Sequence, residues 1–412
     1  MPIEKLHVKN LKHFPEINVQ FNRGFNFITG PNGCGKTSIL AAIAHTLSWN
    51  GEYSRHKENS EYWIDFNEAG EKYRCGLGPG FLGSVSYRKD RISIYTIPPA
   101  EPGVKTVAAY DAKNTFKLPP LVIGAQRKIA YKSISGVVKE NSMQESREAY
   151  CSTALSSLYN EHSREVKQWL VNRYFMVDKD WAQEEKLNWE HLMNSLPEIA
   201  PFNSEFRYVS TGRDLEPVFR IYDKECFLEE LSSGFQAMLY IIIAIFEWVE
   251  SCLPEGERLV SQAAGTVLID ELDNHLHPEW QLTVRRGIEA LFPNIQFIVT
   301  THSPHLLASA QENEIILLPS SYPAERYDFE PSEQNYSGWS TDLILTELMG
   351  VKSLDNKHYE KLVNACYESI KENNLSALKE NYSRLLSVSH PGDEVLIVLK
   401  TRIAGMEARA DD

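Results

Sequence analysis

Gly30-Pro-Asn-Gly-Cys-Gly35-Lys36-Thr37 is the stretch on which the reading of this chain turns. It fits the pattern G-x-x-x-x-G-K-[ST], whose glycines let the backbone wrap around phosphates with successive N–H groups pointing inward, at the positive end of the next helix. Lys36 then reaches the β- and γ-phosphates, and the Thr37 hydroxyl is a ligand for Mg²⁺. The bland alternative is a glycine-rich turn before a helix. Against it stands the context that the chemistry requires. Phe25-Asn-Phe-Ile28 leads in as a short strand, and Ile39, Leu40, Ile43 and Leu47 fall on one face of a helix leading out.

Further along, Thr266-Val-Leu-Ile-Asp270-Glu271 is a continuous apolar run, as expected of a parallel strand buried on both faces, ending in two carboxylates. At the C-terminal edge of a parallel sheet such carboxylates lie beside a phosphate loop. Asp270 is then placed to hold Mg²⁺ and Glu271 to polarise the water attacking the γ-phosphate. Phe297-Ile-Val-Thr300 and Ile315-Ile-Leu-Leu318 repeat the buried-strand signal, and the first runs into Thr301-His302-Ser303-Pro304. A histidine there can donate a hydrogen bond to the γ-phosphate or the water. His275 and His277, two apart, suggest a metal pair, but no third ligand has convincing spacing, and a loop at a subunit interface is the better reading.

The 412 residues carry 42 Lys+Arg against 56 Asp+Glu, a net charge of −14. That argues against a chain that coats nucleic acid or anionic membrane over its whole surface, while leaving room for a local basic groove. Six scattered cysteines form neither a disulfide framework nor a zinc module, so the cytosol is the expected compartment. The N-terminus lacks the apolar core of a signal peptide, and the longest apolar stretch, Ala237 to Phe246, is too short to span a bilayer. Neither secretion nor membrane insertion is expected.

Ile3 to Val8 and Ile17 to Phe21 alternate as strands. From about 60 to 123 the chain breaks into short β-prone runs, among them Tyr62–Ile64, Ile92–Tyr95 and Leu121–Ile123. Residues 138 to 196 read as helical and charged. Strand-like runs at Phe206 to Val209 and Val218 to Ile221 come next, then a long apolar helix from Gln236 to Leu253. Beyond 340 the pattern is helical, and no heptads are sustained anywhere.

Glu230-Leu-Ser-Ser-Gly-Phe-Gln236, ahead of the acidic strand, resembles the signature segment of ABC-type ATPases in a variant form, LSSG for LSGG. The order phosphate loop, signature, Asp-Glu strand, D-loop, His loop is that of ABC ATPase heads. "NFITGPNGCGKTSIL" resembles the RecF/SMC branch rather than transporter subunits. "VLIDELDNHLHPEWQ", "FIVTTHSP" and "GWSTDLILTELMGV" are similar to compact SMC-like ATPases of bacterial anti-phage systems, most of all the ATPase subunits of Septu systems, which work with an HNH nuclease partner. The resemblance covers about residues 1–50, 120–130 and 225–355.

It implies an α/β fold: an ABC-type, RecF/SMC-like P-loop ATPase head with a compact inserted lid and a helical C-terminal extension. The expected division is an N-lobe at 1–130, a helical lid at 131–225, a C-lobe at 226–335 and an extension at 336–412, which reads equally as a packed structural extension or as a docking surface for a partner. ATP and Mg²⁺ are the implied cofactors. Gly30, Asn32, Gly33, Gly35, Lys36, Thr37 and Ser38 would hold the nucleotide, Thr37 and Asp270 the metal, and Glu271, His302 and Lys36 would serve catalysis. Ser232 and Gly234 would contact the γ-phosphate held by the opposite protomer, so that a homodimer or higher oligomer encloses composite ATP sites. Ser232 as an ordinary helix N-cap is the plain alternative.

Gln126 is the candidate Q-loop glutamine touching Mg²⁺ or the water, with Arg127 beside it as an alternative phosphate contact. Lys12 and His13 lie where related heads contact nucleotide. His277 replaces the D-loop acid of many ABC proteins, and the span between Lys36 and Ser232 is too short for the coiled coil of true SMC proteins.

Two other functions compete. A RecF-like ATPase of genome maintenance would bind DNA across the dimer, using basic runs at Tyr87–Lys89 with Arg91, at Arg127-Lys128 and at Arg285-Arg286. A self-sufficient ATPase-nuclease of the OLD kind would need a metal-binding domain after His302, of which Gly392-Asp-Glu394 is only a faint echo.

Overall fold

Five short apolar runs lie side by side and parallel in the order Ile315–Leu317, Phe25–Thr29, Gln296–Thr300, Thr266–Ile269, Leu121–Ile123. Their side chains alternate between two cores. Phe25, Phe27, Val267, Ile269, Phe297 and Val299 face one, which also holds the helix Ser233–Cys252. Ile28, Leu268, Ile298 and Ile316 face the other, shared with the helix Lys36–His45. Both faces of each strand are therefore apolar, which is why the runs read as unbroken. Because the strands are parallel, all their C-terminal ends open on one edge.

The computed structural model describes residues 2–48, 56–68, 70–79, 96–201, 204–351, 357–390 and 392–410. The β-prone run Ile92–Tyr95 and the basic run from Tyr87 to Arg91 lie outside them. The chain divides into two compact units, 1–350 and 351–412. The break falls later than the sequence suggests, because Tyr336, Ile344 and Leu348 are buried in the core around Ser233–Cys252.

Within the first unit a six-stranded sheet runs Arg326–Phe329, Glu16–Gln20, Ile3–Leu11, His56–Glu68, Glu71–Leu77, Val104–Ala108. Its Leu6, Val8, Ile17, Val19 and Ile64 close the second core over the helix Lys36–His45. A three-stranded antiparallel sheet (Lys224–Phe227, Pro217–Ile221, Arg207–Thr211) leads into the segment 230–236. The helix Met143–Ser152 starts with a reciprocal cap: Ser142 accepts from the Glu145 amide, and the Glu145 carboxylate accepts from the Ser142 amide. That helix and Val166–Met176 pack on Ser233–Cys252.

Ser233–Cys252 is twenty residues long and apolar enough to cross a membrane by length and composition, yet 89% of its most apolar window is buried inside the protein, as in a core helix. Near its end sits Glu250, whose carboxylate accepts from Arg173 Nε at 2.7 Å, Asn188 Nδ2 at 2.9 Å and Trp169 Nε1 at 3.3 Å. Asn188 passes the connection on, donating to the Arg258 carbonyl at 2.8 Å and accepting from the Val260 amide at 3.0 Å.

The second unit holds three helices, Lys357–Lys371, Leu375–Leu386 and Glu394–Ala410, around a small core of Leu362, Cys366, Leu378, Leu385, Leu396 and Leu399. Asn374 caps the middle helix, accepting from the Ala377 amide at 3.0 Å.

Removing Glu250 leaves a buried guanidinium, an indole N–H and an amide without their common acceptor. Glu250→Ala is therefore expected to destabilise the first unit by about 3 kcal/mol. A thermal-shift scan that shows no fall in Tm would contradict this.

Candidate active site

The phosphate loop turns at three glycines with left-handed φ, Gly30, Gly33 and Gly35. Two of these positions also lack room for a side chain. A Cβ on Gly35 would stand 2.5 Å from His13 Nε2 and 2.7 Å from Phe14 Cζ, and one on Gly30 would stand 2.5 Å from the Leu318 carbonyl oxygen. The outer wall is tied down by Tyr322, whose hydroxyl donates to the Cys34 carbonyl at 2.7 Å. Asn32 and Gly33 are exposed, and Ser38 is half-buried in the first turn of the helix.

Lys36 is buried, and its ammonium donates to the carbonyls of Gly30 at 2.8 Å and Pro31 at 3.1 Å. Burial lowers its pKa, opposed by Cys34, Asp270 and Glu271. The lysine thus folds back across its own loop.

Across from it, the acidic strand ends where expected. Asp270 is buried, and the Thr37 hydroxyl donates to its two oxygens at 3.0 and 3.2 Å. The Thr300 hydroxyl donates to Asp270 Oδ1 at 2.7 Å and accepts from the Glu271 amide at 2.7 Å. One hydroxyl therefore sets both acids. Glu271 itself adopts a left-handed φ of 49°, which turns the chain sharply after the strand.

His302 follows the neighbouring strand end, half-buried, its amide donating to Asp273 Oδ1 at 3.2 Å. Its pKa is lowered by burial and then by Lys36, with Asp273, Glu271 and Asp270 pulling the other way. Lys36, Thr37, Asp270, Glu271 and His302 thus come together at one sheet edge from positions far apart in sequence.

Thr37 and Asp270 are hard oxygen donors already facing each other, and a hydroxyl with one carboxylate suits Mg²⁺, which binds few protein groups and completes its shell with water and phosphate. Among the described residues no cluster of three His, Cys, Asp or Glu side chains could hold a metal ion alone. His275 and His277 do not form one: His277 caps the short helix Pro278–Gln281, its Nδ1 accepting from the Glu279 amide at 3.4 Å.

Three sequence candidates stand apart from this cluster. Ser232 and Ser233 are exposed at the N-terminus of the helix Ser233–Cys252, and the Ser232 side chain makes no capping bond. Gly234 is buried under the D-loop, where a Cβ would meet the His275 carbonyl oxygen at 2.9 Å. Among the described residues no hydrogen bond or ion pair joins Ser232 or Gly234 to Lys36, Thr37, Asp270 or Glu271. Gln126 is exposed and is held through its backbone, the amide donating to Asn160 Oδ1 at 2.8 Å.

Arg127 corrects its sequence reading as a phosphate contact. It is 1% exposed and donates to the carbonyls of Asp270 at 2.9 Å and of Glu271. Arg285 is likewise buried rather than part of a basic surface, paired with Glu314 at 2.6 Å. Lys12 donates to the Tyr159 hydroxyl at 2.6 Å, and His13 packs on Gly35.

Sequence reasoning passed over Thr300 and Asp273. Asp273 Oδ1 accepts from the Thr301 hydroxyl at 2.5 Å and so ties the D-loop to the His loop. The signal was the doubled threonine at the end of a buried strand, where a polar side chain has to find a partner.

Two AAA-domain families match the chain, one described simply as AAA domain over residues 5–188, the other as an AAA domain of the AbiEii toxin, type IV toxin–antitoxin kind over 170–308. The Septu protein PtuA of Bacillus thuringiensis is 26% identical over 98% of this chain and 98% of its own. The Retron Ec83 probable ATPase of Escherichia coli is 25% identical over 77% of this chain and 71% of its own. Among solved structures, the SMC head domain from Thermotoga maritima aligns over 81% of this chain and 100% of its own, at TM-score 0.45 and 15% identity. With its parallel sheet, phosphate loop and Asp-Glu strand end, the chain carries an α/β P-loop ATPase head and is a homologue of the Septu protein PtuA along almost its whole length.

Proposed function

We propose that this protein binds ATP with Mg²⁺, closes around it as a homodimer, hydrolyses it, and through that cycle regulates an effector nuclease of the HNH type in cytoplasmic anti-phage defence. The observation that carries the reading is the Thr37–Asp270 pair with Glu271 and His302 beside it, facing a lysine that now satisfies itself on loop carbonyls.

In this reading the triphosphate displaces Lys36 from the Gly30 and Pro31 carbonyls, and the loop amides take its oxygens. Thr37 and Asp270 would hold Mg²⁺, which would supply charge neutralisation for the transferring phosphate. Glu271 orients the attacking water, and His302 senses the third phosphate. Catalysis is positioning and electrostatics, without a covalent intermediate.

Support for closure comes from the signature segment. Ser232 and Ser233 are exposed at the N-terminus of a twenty-residue helix, a good anion cap, and the Ser232 hydroxyl makes no capping bond there. A second copy supplies the missing γ-phosphate. ATP then favours the closed state by what the shared contacts contribute, and the partner nuclease reads that state.

Glu271→Gln should keep ATP affinity, lower turnover by about 100-fold or more, and trap an ATP-bound dimer whose mass doubles in light scattering. A monomer under ATP would sink the dimer reading.

His302 supplies a second expectation. In the free protein its pKa lies below the ordinary value of about 6.5 because burial and Lys36 disfavour the imidazolium. A triphosphate beside it favours the imidazolium, so the pKa rises and ATP binding near pH 6 takes up protons. Calorimetry in buffers of different ionisation enthalpy should detect this uptake, and His302→Ala should remove it.

A further inference from the structure

We propose that Arg127 is a positioning residue that couples the loop carrying Gln126 to the backbone of Glu271 and so regulates hydrolysis at this site. The proposal deepens the ATPase reading and rests on it.

A fully buried guanidinium needs a reason, since an apolar side chain of the same volume serves stability as well or better. Burial lowers the Arg127 pKa to about 10, against the pull of Asp273, Asp270, Glu271 and Tyr240. With three carboxylates near it, the hydrogen bonds of Arg127 nonetheless go to backbone carbonyls: Asp270 at 2.9 Å, Glu271, and Leu272 at 3.5 Å. Its Nε finds no partner among the described residues. The carboxylates of Asp270 and Asp273 are thereby left to the threonine hydroxyls, while Arg127 grips the chain that presents them at three successive peptide units.

Glu271 is where that grip matters. Its left-handed φ of 49° is a conformation a glutamate leaves readily unless neighbours hold it. The Thr300 hydroxyl holds the amide at 2.7 Å, and Arg127 holds the carbonyl. Two further bonds join the same segments: Asn274 Nδ2 donates to the Ala125 carbonyl at 3.1 Å, and the Asp270 amide to the Ile123 carbonyl at 2.9 Å. Residues 125–127 and 270–274 are thus one body, with exposed Gln126 at its solvent end. A displacement of the exposed loop at Gln126 would be delivered to Glu271 through these bonds. Lysine cannot replace the planar fork that spans these carbonyls.

The test uses the full chain. Arg127→Lys should lower single-turnover ATP hydrolysis about 10- to 30-fold while the affinity for a fluorescent ATP analogue moves less than about 3-fold. In a Glu271→Gln background the same substitution should change the residual rate less than about 2-fold, because its effect passes through Glu271. Asn274→Ala, at a half-buried position that tolerates truncation, should show a smaller loss, about 5-fold, with the same dependence on Glu271. Equal losses in both backgrounds, or weakened binding in place of slowed hydrolysis, would overturn the proposal. So would an unchanged rate in Arg127→Lys. Hydrogen exchange gives a readout without turnover. A non-hydrolysable ATP analogue with Mg²⁺ should slow exchange across 270–274 in the wild type and not in Arg127→Lys, and equal protection in both would also overturn it. A wild type that hydrolyses no ATP would instead remove the ATPase reading, and the exchange experiment would still decide the coupling.

Discussion

The hydroxyl of Thr300 is the pivot of this head. It donates to Asp270 and accepts from the Glu271 amide, so one side chain on a neighbouring strand fixes both the carboxylate that faces Thr37 and the turn that presents the second acid. The bond exists only because Gln296–Thr300 and Thr266–Ile269 run parallel and in register, Val299 opposite Ile269. Phe25–Thr29 pairs on the far side of the same strand, with Thr300 opposite Ile28. Sheet register therefore delivers phosphate loop, acids and histidine to one edge. A slip of one residue would turn Phe297 and Val299 out of their core and separate all three.

Much of this was legible because the deciding segments are local. A phosphate loop needs its glycines, lysine and threonine within eight residues, and a buried parallel strand announces itself by an unbroken apolar run. Thr266–Ile269 and Gln296–Thr300 were read almost to the residue. The six-stranded sheet was not legible as a sheet. Ile3–Leu11 pairs with His56–Glu68, and Glu16–Gln20 with Arg326–Phe329, so its order depends on encounters between segments up to 310 residues apart.

Arg127 shows the same limit at one residue. Beside an exposed glutamine and followed by Lys128, it looks in sequence like part of a basic, phosphate-facing loop. Its burial follows from where Leu121–Ile123 lies, at the edge of the parallel sheet beside Thr266–Ile269, which turns the next residues under the acidic turn. Arg285 is decided likewise by Glu314, the residue before the edge strand Ile315–Leu317. Charge runs in a sequence carry no burial information. The pairing that neutralises or reorients them is tertiary.

The resting position of Lys36 links the fold to the chemistry. An ammonium taken out of water must find acceptors, and the carbonyls of Gly30 and Pro31 in its own loop supply them. Those bonds tie the lysine back across the turn from which it springs. On binding, the exchange is one set of oxygen acceptors for another that carries charge, and a charge-assisted bond is the stronger. The same logic holds for Thr37, whose hydroxyl donates to both oxygens of Asp270. Each polar group at this sheet edge is thus held by a partner from its own chain, and the register of the strands decides which partner that is.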